Sequence, residues 1–299
     1  MVPRLSGAVV NRPFSGERVL VTGAGGFIGR RLCSRLIELQ ATVVAVDCRT
    51  PSLEEALPGF VMMDLTSSDE IRALDGVDPT LVFHLAAAGA SDPFLPAEDA
   101  LRANVLGTVN LLQTLGGRVP VVVARTAAER NPSSPYAASK AAAWVFCKMF
   151  ARTKGWPVLG AMVFQCYGPR QSAQNVLPAA LAAAHAGEEF PLSQGEQLRD
   201  WVFVDDVALG LLAVARAELA PADSIDIGTG EGIPLREVVQ MLFDLAGGEG
   251  RPSFGVLPYR RGEDMDMVAD ADRTERLIGW RAHTRLEEGL RALASAAAS

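Results

Sequence analysis

The chain has few of the residues that staple or metallate a fold. It holds four cysteines (Cys33, Cys48, Cys147, Cys166), none in a CxxC spacing, and three scattered histidines (His84, His185, His283). That spacing speaks against a disulfide framework, suits a reducing cytosol, and leads to no metal being assigned. Positive charge is also short: 28 Lys and Arg face 35 Asp and Glu, for a net charge of −7. General affinity for nucleic acid or an anionic membrane is therefore not expected, and an anionic ligand needs a local basic pocket. No apolar run reaches membrane-spanning length, and residues 1–15 (MVPRLSGAVVNRPFS) lack a signal-peptide core. The expectation is a cytoplasmic protein.

What remains is ordinary globular usage, 49% hydrophobic and 21% charged over 299 residues. That length fits one large α/β domain, or a nucleotide-binding domain with a smaller companion. From residue 17, short β-branched runs alternate with longer amphipathic stretches, the pattern of βαβ units around a parallel sheet. Strands are expected at Arg18–Val21, Thr42–Val46, Phe60–Met62, Leu81–His84, Val119–Ala124 and Val158–Phe164, and helices near 27–39, 98–115, 136–153, 176–186 and 205–217. Six such strands fit a doubly wound Rossmann sheet over residues 17–168, behind an N-terminal extension at 1–16. After Gly168, Pro, Gly and charge increase, and the strands near 202–204 and 224–227 look isolated. Residues 169–299 are read as a smaller, partly interleaved substrate-binding lobe.

The stretch RVLVTGAGGFIGRRL places Gly23, Gly26 and Gly29 directly after the first strand, with Phe27 and Ile28 at the start of the first helix. A tight turn, a close backbone approach and free helix N–H groups together make an anion site suited to a pyrophosphate. Asp47 ends the second strand about 20 residues on, where a carboxylate accepts hydrogen bonds from a ribose diol and repels a 2′-phosphate. That favours NAD, although a strand-end turn residue also fits Asp47 and Arg49 could offset the repulsion. Asp64 and Leu65 fit either the border of an adenine site or a simple helix cap.

Tyr136 and Lys140 stand four apart, hence on one face of a helix, and Thr126 ends the strand ten residues before Tyr136. A phenol is a poor base at neutral pH; a neighbouring ammonium and a positive nicotinamide ring bring its phenolate toward the working range. Thr126 is placed to hydrogen-bond the oxygen of the reacting carbon. A YxxxK alone is more often a surface helix pair.

TGAGGFIG (22–29), Asp47, DL (64–65), HLAA (84–87), Asn104 with Gly107-Thr108, PYAASK (135–140), YGPRQ (167–171), RDWVFVDDVA (199–208) and GTGEGIPLREV (228–238) follow one another along the chain. In that order they resemble the extended short-chain dehydrogenase/reductases, and within them the nucleotide-sugar epimerase and dehydratase branch. The resemblance runs over about residues 17–293. It implies Tyr136 as acid/base, Lys140 on the nicotinamide ribose and Thr126 in the Ser/Thr place. It further implies Gly23, Gly26, Phe27, Ile28, Gly29, Asp47, Asp64, Leu65, Leu85, Ala86, Ala87 and Asn104 at the cofactor. Asn175, Arg199 and Arg261 match positions that meet a nucleotide-diphosphate sugar, and surface or ion-pair roles fit those three as well. Asp205 and Asp206 look like helix caps. A two-fold dimer through the helices near 98–115 and 136–153 is expected, with Ala141, Ala142 and Ala143 permitting close approach, although intrachain packing explains the alanines equally well.

Three departures matter. The connection from Thr126 to Tyr136 is shorter than the family's, Arg125 replaces a small residue, and Met162 and Gln165 stand where Arg and Asn are common. A more open sugar pocket, or Arg125 reaching into it, would follow. Relatives that dehydrate carry Asp-Glu after the Thr, whereas this chain has Ala127-Ala128 with Glu129 one place further. A 4-epimerase needs no further acid or base, so NAD-dependent epimerisation of a nucleotide sugar at C4 is the leading expectation. A ketoreductase or dehydrogenase, a dehydratase with displaced groups, and a non-catalytic dinucleotide-binding protein are the alternatives.

Overall fold

The computed structural model describes residues 14–50, 57–92 and 94–297. Residues 1–13, most of the expected N-terminal extension, and the last two of the Ala/Ser tail lie outside the described residues. The chain opens with β1 (Arg18–Thr22), α1 (Phe27–Glu38), β2 (Thr42–Asp47), β3 (Phe60–Met62) and β4 (Leu81–His84). Next, α2 (Ala97–Ala100) passes through a π-helical turn (Leu101–Leu106) into α3 (Gly107–Leu115), followed by β5 (Val121–Thr126), α4 (Pro135–Lys154), β6 (Val158–Val163) and β7 (Gln165–Tyr167). The rest comprises α5 (Val176–Ala186), β8 (Glu189–Pro191), β9 (Leu198–Phe203), α6 (Val204–Arg216), β10 (Ser224–Ile227), β11 (Gly232–Pro234), α7 (Leu235–Ala246), β12 (Arg251–Ser253), β13 (Asp266–Met267), α8 (Ala271–Ile278) and α9 (Leu286–Ala297).

Seven strands form one parallel sheet in the order β10-β6-β5-β4-β1-β2-β3. The strand expected to stand alone near 224–227 is β10, which pairs in register with β6 and completes this sheet from the C-terminal part of the chain. Its short, isolated apolar run hid a partner about 60 residues away in sequence.

Both faces of the sheet are covered, so the strands read as continuous apolar runs. Side chains alternate between two cores. Val19, Val21, Leu81, Phe83 and Val122 join one cluster with α1 and α6; Leu20, Val82, Val121 and Val123 join the other with α3 and α4. A third core, built on Tyr167, Trp201, Leu177, Val239 and Leu290, holds the smaller lobe around β9, which pairs with β7, β11 and β13. The strand order turns back between β1 and β4, and the crevice beyond their carboxyl ends is where doubly wound sheets take ligands. Among the described residues no helix is long and apolar enough to cross a membrane.

Asp205 and Asp206 are not caps. They sit in the first turn of α6, whose N-cap is Phe203. Acidic side chains there complement the helix dipole, and both also tie elements together: Asp205 pairs with Arg31 and Arg35 of α1, and Asp206 accepts the Thr284 N–H at 2.8 Å.

Candidate active site

The glycine turn lies at that crevice. Gly23 has φ +70°, and a Cβ there would fall 2.6 Å from the Ala86 nitrogen on the strand-end loop of β4; one at Gly29 would fall 2.1 Å from the Gly23 carbonyl oxygen. These contacts demand glycine and bring the start of α1 onto the end of β1. Gly26 caps α1 through its backbone alone, with no side chain turned onto the helix end. The first N–H groups of the helix, at Phe27 and Ile28, therefore point into the crevice for an anion.

Asp47 is held by two backbone donors. Its Oδ2 accepts the Gly25 N–H at 3.0 Å and its Oδ1 the Arg49 N–H at 3.1 Å. The carboxylate thus stands beside the glycine turn with lone pairs left for a diol. Across the crevice Leu85 and Ala86 are half-buried and Ala87 exposed. Asp64 turns its Oδ1 to the Thr66 N–H at 2.8 Å, a local turn, and Leu65 is buried behind it. A dinucleotide fits this constellation: a cradle that any Cβ would fill, free helix N–H groups, and a carboxylate one strand away.

Asn104 is buried and hydrogen-bonded within the protein. Its Oδ1 accepts the Ala88 N–H at 2.7 Å, and its Nδ2 donates to the Ala88 carbonyl at 3.0 Å and to Ser139 Oγ at 2.8 Å. Ser139 in turn donates to the Tyr136 carbonyl at 2.9 Å. The side chain expected on the cofactor is thus spent on pinning the loop after β4 to the first turns of α4. Beneath it, Thr108 donates to the Asn104 carbonyl at 2.6 Å and so accepts from His84 Nε2–H at 2.8 Å, which leaves Nδ1 to accept from Thr22 at 2.7 Å. Burial first, and the Lys140 charge second, push the His84 pKa down to about 3.

Ser134 caps α4, accepting the Ala137 N–H at 3.2 Å, with Pro135 at the first helical position. Tyr136 therefore sits in the first turn, at the positive end of the helix dipole, with Lys140 one turn on and buried. The Thr126 side chain stands beside the phenol and accepts the Ala128 N–H at 3.4 Å. Burial, then the Glu129 carboxylate, push the Tyr136 pKa up to about 12, against the Thr126 contact that lowers it. Burial also lowers the pKa of Lys140. In the protein alone, then, burial and Glu129 govern the phenol, and the lowering expected from Lys140 is not among the effects on it.

Arg125 does not reach into the pocket. Its Nε and Nη2 donate to Glu129 Oε2 at 2.9 and 2.8 Å, its Nη1 donates to Ser224 Oγ at 3.0 Å, and its guanidinium lies over Trp144. Gly160 makes the room, since a Cβ there would come within 3.0 Å of Arg125 Cδ. Glu129, read from sequence only as a displaced acid, is a capping residue: its Oε1 accepts the Thr126 N–H at 3.0 Å and closes a capping box over the 3-10 turn Ala127–Arg130. The Thr-x-x-Glu spacing was the signal for it.

The three expected substrate residues stand on different elements. Asn175 Nδ2 donates to Ser91 Oγ and to the Ser172 carbonyl, both at 3.3 Å. Arg199 on β9 is buried and already engaged: Nη2 donates to Glu263 at 2.5 Å, and Nη1 to the carbonyls of Leu198 and Asp264 at 2.8 Å each. Arg261 is exposed, on a loop whose Gly262 faces Ser133 just before α4. Met162 is buried at the end of β6, and Gln165 is half-buried on β7.

Known proteins are similar to this chain over most of its length. The model of the NAD dependent epimerase/dehydratase family matches residues 19–228. A probable dTDP-glucose 4,6-dehydratase of Sinorhizobium fredii is 28% identical, with 92% of this chain and 91% of that protein covered. A UDP-glucose 4-epimerase of Mycolicibacterium smegmatis is 29% identical, with 91% and 96% covered. The solved structure of MoeE5 in complex with UDP-glucuronic acid and NAD is 30% identical, with 94% of this chain and 99% of that one covered, and superposes with a TM-score of 0.84. With the glycine cradle, Asp47 and the Thr126-Tyr136-Lys140 cluster in place, the chain belongs to the NAD dependent epimerase/dehydratase family and takes NAD as its cofactor.

Proposed function

We propose that the protein is an NAD-dependent epimerase of a nucleotide-diphosphate sugar, acting at C4 through a transient 4-keto sugar. The observation that carries this reading is the placing of Glu129. Its carboxylate is the acidic group next to Thr126, and its side chain is only 1% exposed, closed off by Arg125 and the Thr126 amide. Ala127 and Ala128 bring no ionisable group. That leaves Tyr136 to move the proton, which is all that removing and restoring one sugar hydroxyl requires.

In this reading the glycine turn and the Phe27 and Ile28 N–H groups hold the cofactor pyrophosphate, and Asp47 its adenosine ribose. NAD, when bound, supplies a reversible acceptor for the carbinol hydrogen and a positive ring beside the phenol. Lys140 holds the nicotinamide ribose and adds its own charge, Tyr136 takes the hydroxyl proton and gives it back, and Thr126 steadies the oxygen between them. Asn175, Arg199 and Arg261 hold the nucleotide diphosphate. For Arg199 this means exchanging its Glu263 partner for phosphate oxygens, a bidentate match the guanidinium favours.

A dehydratase is the second reading, favoured by relatives such as the Sinorhizobium protein. It needs a second acid and base, which the Ala127-Ala128 pair does not offer. Incubation with UDP-, dTDP- and GDP-sugars, with C4 isomers resolved, separates the two. Interconversion without loss of water supports the epimerase; a product lighter by one water rejects it.

We also infer a homodimer. Leu101 and Leu106 on the π-helical turn and Val145 and Phe146 on α4 are exposed on helices that pack side by side. Such a shared apolar face is what a two-fold helix pairing covers.

A further inference from the structure

The segment between Thr126 and Tyr136 carries a buried ion pair that the proton-transfer chemistry does not use. Arg125 and Glu129 flank Thr126 in sequence, and their bonded side chains close a ring around its backbone. Arg125 is itself fixed from two further elements, by Ser224 Oγ on β10 and by the face of Trp144 on α4, in the space that Gly160 leaves open. The groups that face Glu129 are Arg125 from β5 and Tyr136, Lys140 and Cys147 from α4. An ion pair this buried gives little net stability for its own sake. Its geometry instead fixes the backbone of Thr126, whose side chain stands beside the phenol.

We propose that Glu129, anchored by Arg125, is a positioning residue that holds the Thr126 hydroxyl on the Tyr136 phenol. The role rests on the reading of Tyr136 as the acid/base, but its test needs no turnover. The chain has three tyrosines, so the near-ultraviolet tyrosinate titration of NAD-loaded protein, minus that of Tyr136→Phe, isolates Tyr136. Glu129→Gln and Glu129→Ala remove the same charge, but only Ala also removes the acceptor of the Thr126 N–H. Tyr136 in Glu129→Ala should therefore titrate about one pH unit above Tyr136 in Glu129→Gln, the worth of one hydrogen bond to the phenolate. The gap should close when Thr126→Ala is added to both.

If the two variants titrate together, or if the gap survives Thr126→Ala, the positioning role is wrong. Should the unpaired Arg125 prevent folding, the same comparison is made with Arg125→Leu in both partners. A protein that converts no nucleotide sugar still passes or fails this test, so it separates the failure of this proposal from failure of the proposed function.

Discussion

Asp47 at the end of β2 accepts the N–H of Gly25 at 3.0 Å, joining the second strand to the glycine turn of the first. In the proposed function this carboxylate meets the adenosine ribose of NAD. Asp47→Ala should weaken NAD binding about 10- to 100-fold, the loss of charge-assisted hydrogen bonds. Titration of the apoprotein with NAD checks it, and an unchanged Kd would remove Asp47 from the site.

Arg199 on β9 offers a second test. Its guanidinium is held at 2.5 Å by Glu263, the partner that the proposed function exchanges for phosphate oxygens. Arg199→Met should raise KM for UDP-glucose about 10-fold or more and leave bound NAD unchanged. A drop in kcat with KM intact would place Arg199 at the chemistry instead. Arg199→Lys, which keeps the charge and loses the fork, should recover only part of the affinity.

Acid should loosen the fold through His84. Its pKa falls from 6.5 to about 3 on folding, so below pH 6.5 the unfolded chain binds a proton that the native state refuses. Stability is fully present above pH 6.5 and is lost as the pH falls toward 3, at about 1.4 kcal/mol per pH unit. Urea melts at pH 7 and pH 5 measure this slope, and His84→Asn should flatten it. An identical slope in the variant would clear His84 of the effect.

The dimer rests on exposed Leu101, Leu106, Val145 and Phe146. The protein should sediment at twice the chain mass, and Val145→Glu with Phe146→Glu should return it to one. A monomeric wild type rejects the interface.

Much of this was legible from sequence where the signal is local. Gly23 and Gly29 stand where no Cβ fits, and the alternation of Val19, Leu20 and Val21 between two cores appears as a continuous apolar run. Pro135 and the Tyr136-Lys140 spacing marked the start of α4. Long-range choices were not legible. The run at Ser224–Ile227 gives no sign that it pairs with β6. Arg125 turns from the pocket because Ser224, Trp144 and Gly160, distant in sequence, provide it a site. Asn104 was assigned to the cofactor by its motif, while its amide is taken up by Ala88 and Ser139.

In the proposed reaction Tyr136 takes and returns the hydroxyl proton, while the C4 hydrogen leaves and returns without meeting water. Turnover of UDP-glucose or its dTDP counterpart in deuterium oxide, read by mass spectrometry of the product, tests it most directly. The expected product is the C4 isomer with no deuterium on carbon, formed at least about 100-fold more slowly by Tyr136→Phe. A product that has lost water and gained carbon-bound deuterium would contradict it, because elimination exchanges a ring proton with solvent.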